Sequence, residues 1–425
     1  MLFRPLRLRM VERWRVSMWS LIALFVWVLP AAAQSYTQRG FVESSSTIYP
    51  QAALNDSTHF VSEALLRYEG SLKLSTAFQV SGALDIRTDT HHQTERELDL
   101  SWWDRERRRP LAAARRLSVV YHRGGLSIEA GKQFVRWGKA DILNPTDRFA
   151  PRDYLTVVDN EFLGITAARL TYEKGRDTID VVWAPRFTPS RIPLADQRWS
   201  PAQTPPSGFI LRDGGAAFPG GSQAGLRWNH IGSVEFSASY YQGFNHLPLF
   251  DAQPSFDGVV PVVTLQRVYP EIRMLGGDAA VPFRFFDIKA EAAYFNSGNP
   301  LADDYTQYVV QVERHSGEWT FVGGYAGEYV SSPGTPTVEF APDRGITKTV
   351  LGSVRFTIDV NRSVAFDTSI RQNLDGAWLR AEYSQAFGQH WRATATASLI
   401  RGNPADFLGQ YRHNSHAGLI LRYSF

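Results

Sequence analysis

The chain has 425 residues, no cysteine, a formal net charge of +3, 13% aromatic residues and a mean hydropathy of −0.25. The missing cysteine excludes a disulfide framework and thiolate chemistry. Beyond residue 33 no apolar run reaches the roughly 18 residues of a helical membrane span, so helical spans are excluded too.

Residues 1–18 carry Arg4, Arg7, Arg9, Arg13 and Arg15 against Glu12; the apolar run Trp19–Leu29 and Pro30-Ala31-Ala32-Ala33 follow. A basic head, a short apolar segment and an Ala-x-Ala ending predict a secretory signal peptide over 1–33, cut after Ala33. Its removal takes away five arginines and one glutamate, so the charge falls from +3 to −1. The basic pI belongs largely to this leader, and nothing in the charge points to nucleic acid.

From residue 34 onward the pattern is one of strands with a period of two. Eighteen candidates have the length a tilted strand needs to cross a bilayer. They span 39–49, 60–74, 77–90, 112–123, 125–138, 163–173, 176–185, 222–231, 232–243, 263–280, 283–296, 305–315, 317–330, 347–360, 362–372, 375–387, 389–401 and 409–425. Tight turns such as Arg123-Gly124-Gly125, Lys174-Gly175-Arg176 and Phe387-Gly388-Gln389 alternate with long connections at 91–111, 139–162, 186–221, 244–262 and 331–346. This asymmetry predicts an all-β fold: one closed antiparallel transmembrane β-barrel domain over 34–425, with about 18 strands (16–18) and both termini periplasmic.

The faces separate cleanly. Trp391, Ala393, Ala395, Ala397 and Leu399 alternate with Arg392, Thr394, Thr396 and Ser398. The charged residues Asp287, Lys289, Glu291, Arg355, Asp359, Asp367, Arg371, Arg380, Glu382 and Arg392 all fall opposite the apolar face. A cation facing lipid at mid-depth costs about 2–4 kcal/mol, so these residues are expected to line the lumen. Trp137, Trp183, Trp228, Trp319, Trp378 and Trp391 lie near strand ends and fit interfacial girdles, with a sugar-binding track as the other reading. The last strand ends on Leu421, Tyr423 and Phe425, the aromatic carboxyl end of a lipid-facing closing strand and the expected membrane-assembly signal.

The segment 125–138 departs from the pattern. Leu126, Ile128 and Ala130 share a face that continues into Lys132, Phe134 and Arg136. A bulge near Gly131 would turn the later residues inward. The 139–162 loop that follows is the third connection on its side, after 50–59 and 91–111, dense in charge and stiffened by Pro145 and Pro151. Its expected role is to fold into the lumen as a constriction. Asp141, Asp147 and Asp153 would face Lys132, Arg136, Lys139, Arg148 and Arg152 across a transverse field. The bland reading is a self-neutralising loop that merely packs.

Ala130-Gly131-Lys132-Gln133, Trp137-Gly138 and Asn144-Pro145-x-Asp147 resemble the Gly-Lys/Arg-Gln…Trp-Gly…Asn-Pro-x-Asp stretch of a group of porin-like outer-membrane proteins. That group is distantly similar in layout to alginate-export barrels. Glu63–Glu69 and Gly82-Ala83-Leu84-Asp85-x-Arg87 fit the same resemblance. It implies channel or export activity without naming a substrate. Alginate-export barrels carry a positive lumen; the mixed charges here do not support an anionic polysaccharide.

Sites for chemistry are weak. His413 and His416, three apart on a strand, face opposite sides and cannot chelate one ion. His91 and His92 near Asp89, Glu95, Glu97 and Asp99 read as a solvated loop, and Ser415-His416 lacks a readable third member. No enzyme, cofactor or metal is expected. The run Arg105–Arg109 is a candidate contact for lipopolysaccharide phosphates. The Pro- and Gly-rich connection 186–221 is a candidate lid, plug or partner arm. Two functions stay open. One is an outer-membrane channel or exporter passing small hydrophilic solutes or a polymer. The other is a non-conducting scaffold acting through its external loops. Either would meet outer-membrane lipid, lipopolysaccharide and the barrel-assembly machinery.

Overall fold

A computed structural model describes residues 35–98, 100–200, 210–335 and 338–425; the leader expected at 1–33 lies outside the described residues. Eighteen antiparallel strands form one closed sheet. In chain order they are β1 (Ser35–Ile48), β2 (Phe60–Lys73), β3 (Phe78–Asp89), β4 (Ala112–Arg123), β5 (Leu126–Gln133), β6 (Ile165–Lys174), β7 (Asp177–Ala184), β8 (Gln223–His230) and β9 (Glu235–Phe244). The second half comprises β10 (Glu271–Pro282), β11 (Asp287–Ser297), β12 (Asp304–Ser316), β13 (Trp319–Ser332), β14 (Thr349–Asp359), β15 (Arg362–Arg371), β16 (Gly376–Phe387), β17 (Trp391–Gly402) and β18 (His416–Ser424).

Each strand pairs with the next, and β18 closes the ring on β1 through Phe41↔Ser424 to Ile48↔Ala417. Gly40 and Phe425 exchange backbone hydrogen bonds of 2.9 Å at the seam. Closure leaves no sheet edge, which is why strands can cross an apolar medium with every ladder group paired. The strands begin and end so that every connection at the end holding Ser35 and Phe425 is a tight turn, while the long connections lie at the other end together with the shorter ones at 298–303 and 372–375.

Side-chain alternation follows the sequence. Val310, Val312, Val350, Phe366, Leu399, Leu419 and Leu421 are exposed on the outer face. Ser353 bonds Asp367 and Arg392 bonds Ser384 on the inner one. Trp183, Trp228, Trp319 and Trp391 point outward near strand ends. Trp137 and Trp378 do not belong to a girdle. Trp137 is buried in the core and Trp378 donates to inward Ser398 at 2.8 Å.

Three strand boundaries differ from expectation. β5 stops at Gln133, because the chain there leaves the wall. The span 263–280 divides: Val260–Val268 pairs with Leu249–Asp257 as a hairpin outside the barrel, and β10 starts only at Glu271. That hairpin joins Ile210–Ala217 and Val338–Glu339 in a separate four-stranded sheet. The span 409–425 begins as a 3-10 turn, Gly409–Asn414. The bulge is also displaced. β5 keeps register on both sides through Gly131, whereas β4 skips Arg115 opposite Ala83/Leu84. Gly131 adopts φ +124, and a Cβ there would sit 2.3 Å from the Leu117 carbonyl. The glycine thus serves close strand approach.

Candidate functional site

The connection 134–164, leaving β5 and returning to β6, is built against the inner wall of the barrel. Val135, Trp137 and Phe149 pack with inward-facing Ile165, Ala167, Val182, Ala184, Tyr241, Ile272, Met274, Ala293, Phe295 and Tyr305. These come from β6, β7, β9, β10, β11 and β12, so the main apolar core of the molecule lies inside the ring. Farther along, Leu143 packs with Ala326 of β13 and Leu351 of β14.

Polar clasps fix this path. The Trp137 indole donates to Asp180 of β7 at 3.0 Å, and Asp180 also takes both Arg169 nitrogens. Asp147 accepts the Trp137 amide at 3.0 Å and Arg136 at 2.5 Å, which closes 136–147 into a tight lobe. Burial is the largest influence on Asp147 and raises its pKa, against the opposing pull of Arg136 and the Trp137 amide. Lys139 reaches Glu235 of β9 at 2.8 Å, and Asp141 reaches Lys289 of β11 at 2.8 Å. Arg148 contacts Asp343 at 3.4 Å and lies over the Phe295 ring.

The returning half, 151–163, pairs Arg152–Asp153 with Glu161–Phe162 and docks on β2–β4. Asp153 takes Arg109 at 2.9 Å and Arg191 at 2.6 Å. Burial alone would raise its pKa, but the two guanidiniums outweigh it and hold the carboxyl below the usual range. Glu161 takes Arg87 and Arg115, each at 3.0 Å; these overcome burial and bring it down to about 2. Arg67–Asp85 at 2.7 Å and Arg109–Glu63 at 2.9 Å complete the network. Removing one member would strand buried charge, which costs about 3–5 kcal/mol.

Of the eight residues expected at a constriction, only Arg136 and Asp147 pair with each other. Lys139, Asp141, Arg148 and Asp153 pair with the wall or with other connections, and Arg152 bonds neutral Asn160 at 2.9 Å. Lys132 is a correction. It stands on the outward register opposite Leu117 and Thr166, fully buried, with its ammonium on Asp104 at 2.5 Å and the Trp102 carbonyl at 2.7 Å. Segment 100–104 covers the breach that β5 leaves in the wall, Leu100–Ser101 pairing with Ala112–Ala113. The lobe therefore does not oppose a row of acids to a row of bases.

Of the ten residues expected on the lumen face, Glu291 and Lys289 engage the lobe and Arg371 takes Asp406 at 2.8 Å. Asp359 pairs with Arg362 in a tight turn. Asp287 stands opposite inward Glu313, and Asp367, Arg380, Glu382, Arg355 and Arg392 stay on the inner register of β14–β17. The basic run of 105–109 is largely paired within the chain, Arg108 standing 4.0 Å from Glu95. Arg105 donates to the Phe187 carbonyl, Arg107 pairs with Asp213 and Arg109 with Asp153.

At the long-connection end, Tyr49, Tyr154, Val157, Trp199, Leu247, Phe340, Ile400 and Tyr411 form a second apolar cluster from six connections and β17. Below it a cavity of about 240 Å³ is lined by Arg148, Arg152, Asn160, Trp378, Phe407 and Tyr411, among others. Sequence reasoning missed Asp180, Tyr241, Glu161 and Asp343. The available signal was the run of bulky apolar residues on the inward register of β6–β12, where an open channel would carry polar ones. His91 is paired with Asp56 at 2.7 Å, and among the described residues no three His, Asp or Glu side chains converge as a metal site would require.

No protein-family model matches the chain, and no curated protein matches it. Solved structures do. A BenF-like porin from Pseudomonas fluorescens Pf-5 aligns with a TM-score of 0.55 at 9% identity, over 93% of this chain and 99% of that one. OccAB3 of Acinetobacter baumannii gives 0.52 at 9% identity over 92% and 99%, and OccAB4 of the same species 0.51 at 10% over 93% and 100%. At such identities the likeness is one of fold: a closed antiparallel barrel of the porin type. None of these three is named as an alginate-export barrel.

Proposed function

We propose that the protein is an outer-membrane channel for small hydrophilic solutes, in which the 134–164 connection sets the constriction. The observation that carries this reading is the placement of Trp137, Leu143 and Phe149 against inward residues of β6–β14. A connection so placed fills one side of the lumen. The wall it leaves uncovered, centred on β15–β18 and β1, keeps charged residues such as Asp367, Glu382 and Arg392 on its inner face, as water-filled passage requires. On this reading the 1–33 leader is removed on export, both termini are periplasmic, and the Leu421-Tyr423-Phe425 strand is the assembly signal.

The second reading, a barrel that rests closed and works through its external surface, is favoured by the apolar cluster at the long-connection end. Planar-bilayer conductance of the refolded chain decides between them. Steady steps whose ion preference shifts with Asp147→Ala or Arg148→Ala support the channel. A correctly folded, silent barrel supports the closed scaffold.

A further inference from the structure

The connection 134–164 meets the far wall at Glu291, in the middle of β11. This side chain is 2% exposed. Its carboxylate accepts the backbone amides of Lys139 at 3.1 Å, Ala140 at 3.4 Å and Thr146 at 2.8 Å, and the Thr146 hydroxyl at 2.8 Å. Asn144 Nδ2 stands at 3.5 Å while also donating to the Ala140 carbonyl. Every one of these partners is an uncharged donor. Among the described residues no cation pairs with Glu291, and its cross-strand neighbour Asp278 is a second carboxylate, itself held by Arg227 at 2.8 Å. The connection thus forms a nest of N–H groups around a fixed anion, the arrangement in which an acceptor-only carboxylate binds strongly. Gly138 is shaped to this contact. It adopts φ +94, and a Cβ there would lie 2.6 Å from the carboxylate. The Trp137-Gly138 and Asn144-Pro145-Thr146 elements of the sequence motif are therefore the two lips of one anion nest.

We infer that Glu291 is the positioning residue of the constriction, the anchor that holds the lobe 136–147 across the lumen. The inference rests on the channel reading for its functional meaning, but the clasp can be tested apart from conduction. Lys139–Glu235 and Asp141–Lys289 are also there, yet each joins a flexible side chain to a half-exposed partner, and such pairs contribute about 0–1 kcal/mol. Glu291 instead binds backbone, so it fixes the path of the chain itself. A glutamine there would keep the volume but turn an NH2 group towards amides that need acceptors.

The test uses the full mature chain with E291Q, E291D and, as a control at an exposed tight turn, E318Q, each carrying Leu143→Cys in a protein that has no other cysteine. Leu143 belongs to the lobe and is buried against Ala326 of β13 and Leu351 of β14, so its reaction with a water-soluble maleimide reports lobe release whether or not the barrel conducts. Conductance is recorded in parallel. The expected result is maleimide labelling at least tenfold faster in E291Q, intermediate in E291D and unchanged in E318Q. Conductance of E291Q should at least double, with open-channel flicker, or appear where the parent is silent. Unchanged labelling in folded E291Q overturns the clasp. A chain that folds only with a carboxylate at 291 overturns it too, since the residue would then serve barrel formation. Faster labelling with both proteins silent keeps the clasp and sinks the channel reading alone.

Discussion

His246 joins three connections through one ring. Its Nδ1 lies 2.6 Å from the Thr188 carbonyl and its Nε2 2.9 Å from the Arg148 carbonyl, while Ser190 donates to its own carbonyl at 2.8 Å. Phe187 stacks on the ring at 5.4 Å. A neutral imidazole has one N–H and serves only one of the two carbonyls. An imidazolium would serve both, but burial is the largest influence; with the nearby Arg148 charge it pushes the pKa down to about 4 from an ordinary 6.5. The folded state therefore binds this proton less readily than the unfolded chain. The joint contributes fully above pH 6.5 and weakens as the pH falls through 4, by about 3 kcal/mol in the limit. Arg148, Arg152 and Asp343 are charged groups that face the same pocket. Limited proteolysis of the long connections should quicken from pH 6.5 to 4, and His246→Gln should flatten that profile. An imidazole titrating at or above 6.5 by NMR would refute the assignment.

Among the elements, the segment 190–200 is a strap that runs from β7 to the mouth of the β18–β1–β2 seam. Its end is fully buried. Arg198 lies 3.7 Å over the Tyr49 ring, its amide donates to Asp56 at 3.1 Å, and its carbonyl accepts Asn414 at 2.8 Å. Trp199 packs on Tyr411 at 5.5 Å. Trp199→Ala opens a large cavity and should cost about 3–5 kcal/mol locally. The ladders of the barrel do not depend on it, so the loss should appear as local release. We expect faster protease nicking of the strap with unchanged heat-resistant migration of the barrel; an unaltered nicking rate would show that Trp199 does not secure it. The eighteen strands were legible because a period of two is local. The errors came where locality fails. Residues 263–268 alternate as well as any barrel strand, but they pair with 249–254, which no window of sequence reveals. The candidate site was half legible for the same reason. The inward register of Lys289 and Glu291 could be read, yet their partners Asp141 and Thr146 lie about 145–148 residues away. The charges of 132–153 looked like facing rows because their true partners, Asp104, Glu235, Asp343 and Arg109, were invisible.

For the whole molecule, the outer face reads as a band bounded by aromatics, and at the tight-turn end it includes one unusual turn. Outward Trp228, Phe236, Trp319, Phe321 and Trp391 mark the boundary there. Between β10 and β11 the turn is Phe283-Arg284-Phe285-Phe286, with Phe283 and Phe286 5.1 Å apart and Phe285 62% exposed. The neighbouring turn adds exposed Ile231 and Val234. Other tight turns, such as Gly317-Glu318 and Gly388-Gln389-His390, carry polar residues. Three phenylalanines in water expose apolar area worth about 1.5–3 kcal/mol each on burial. Here they continue the outward register of Val281 and Ile288. A turn immersed in acyl chains, with Arg284 reaching the phosphate layer, removes that cost and tilts the barrel's apolar band towards this side. Single-cysteine nitroxide labels can measure the depth directly, since the chain has no cysteine of its own. A label at 310, mid-strand and outward, should be accessible to oxygen and shielded from aqueous nickel chelate; one at 318 should behave oppositely. A Phe285→Cys label should pattern with 310 if the turn is immersed. Should it pattern with 318 instead, the turn stands in water, and an exposed aromatic patch of this size would mark a site for a protein partner. If the label at 310 is itself aqueous, the membrane-spanning reading of the barrel falls with it.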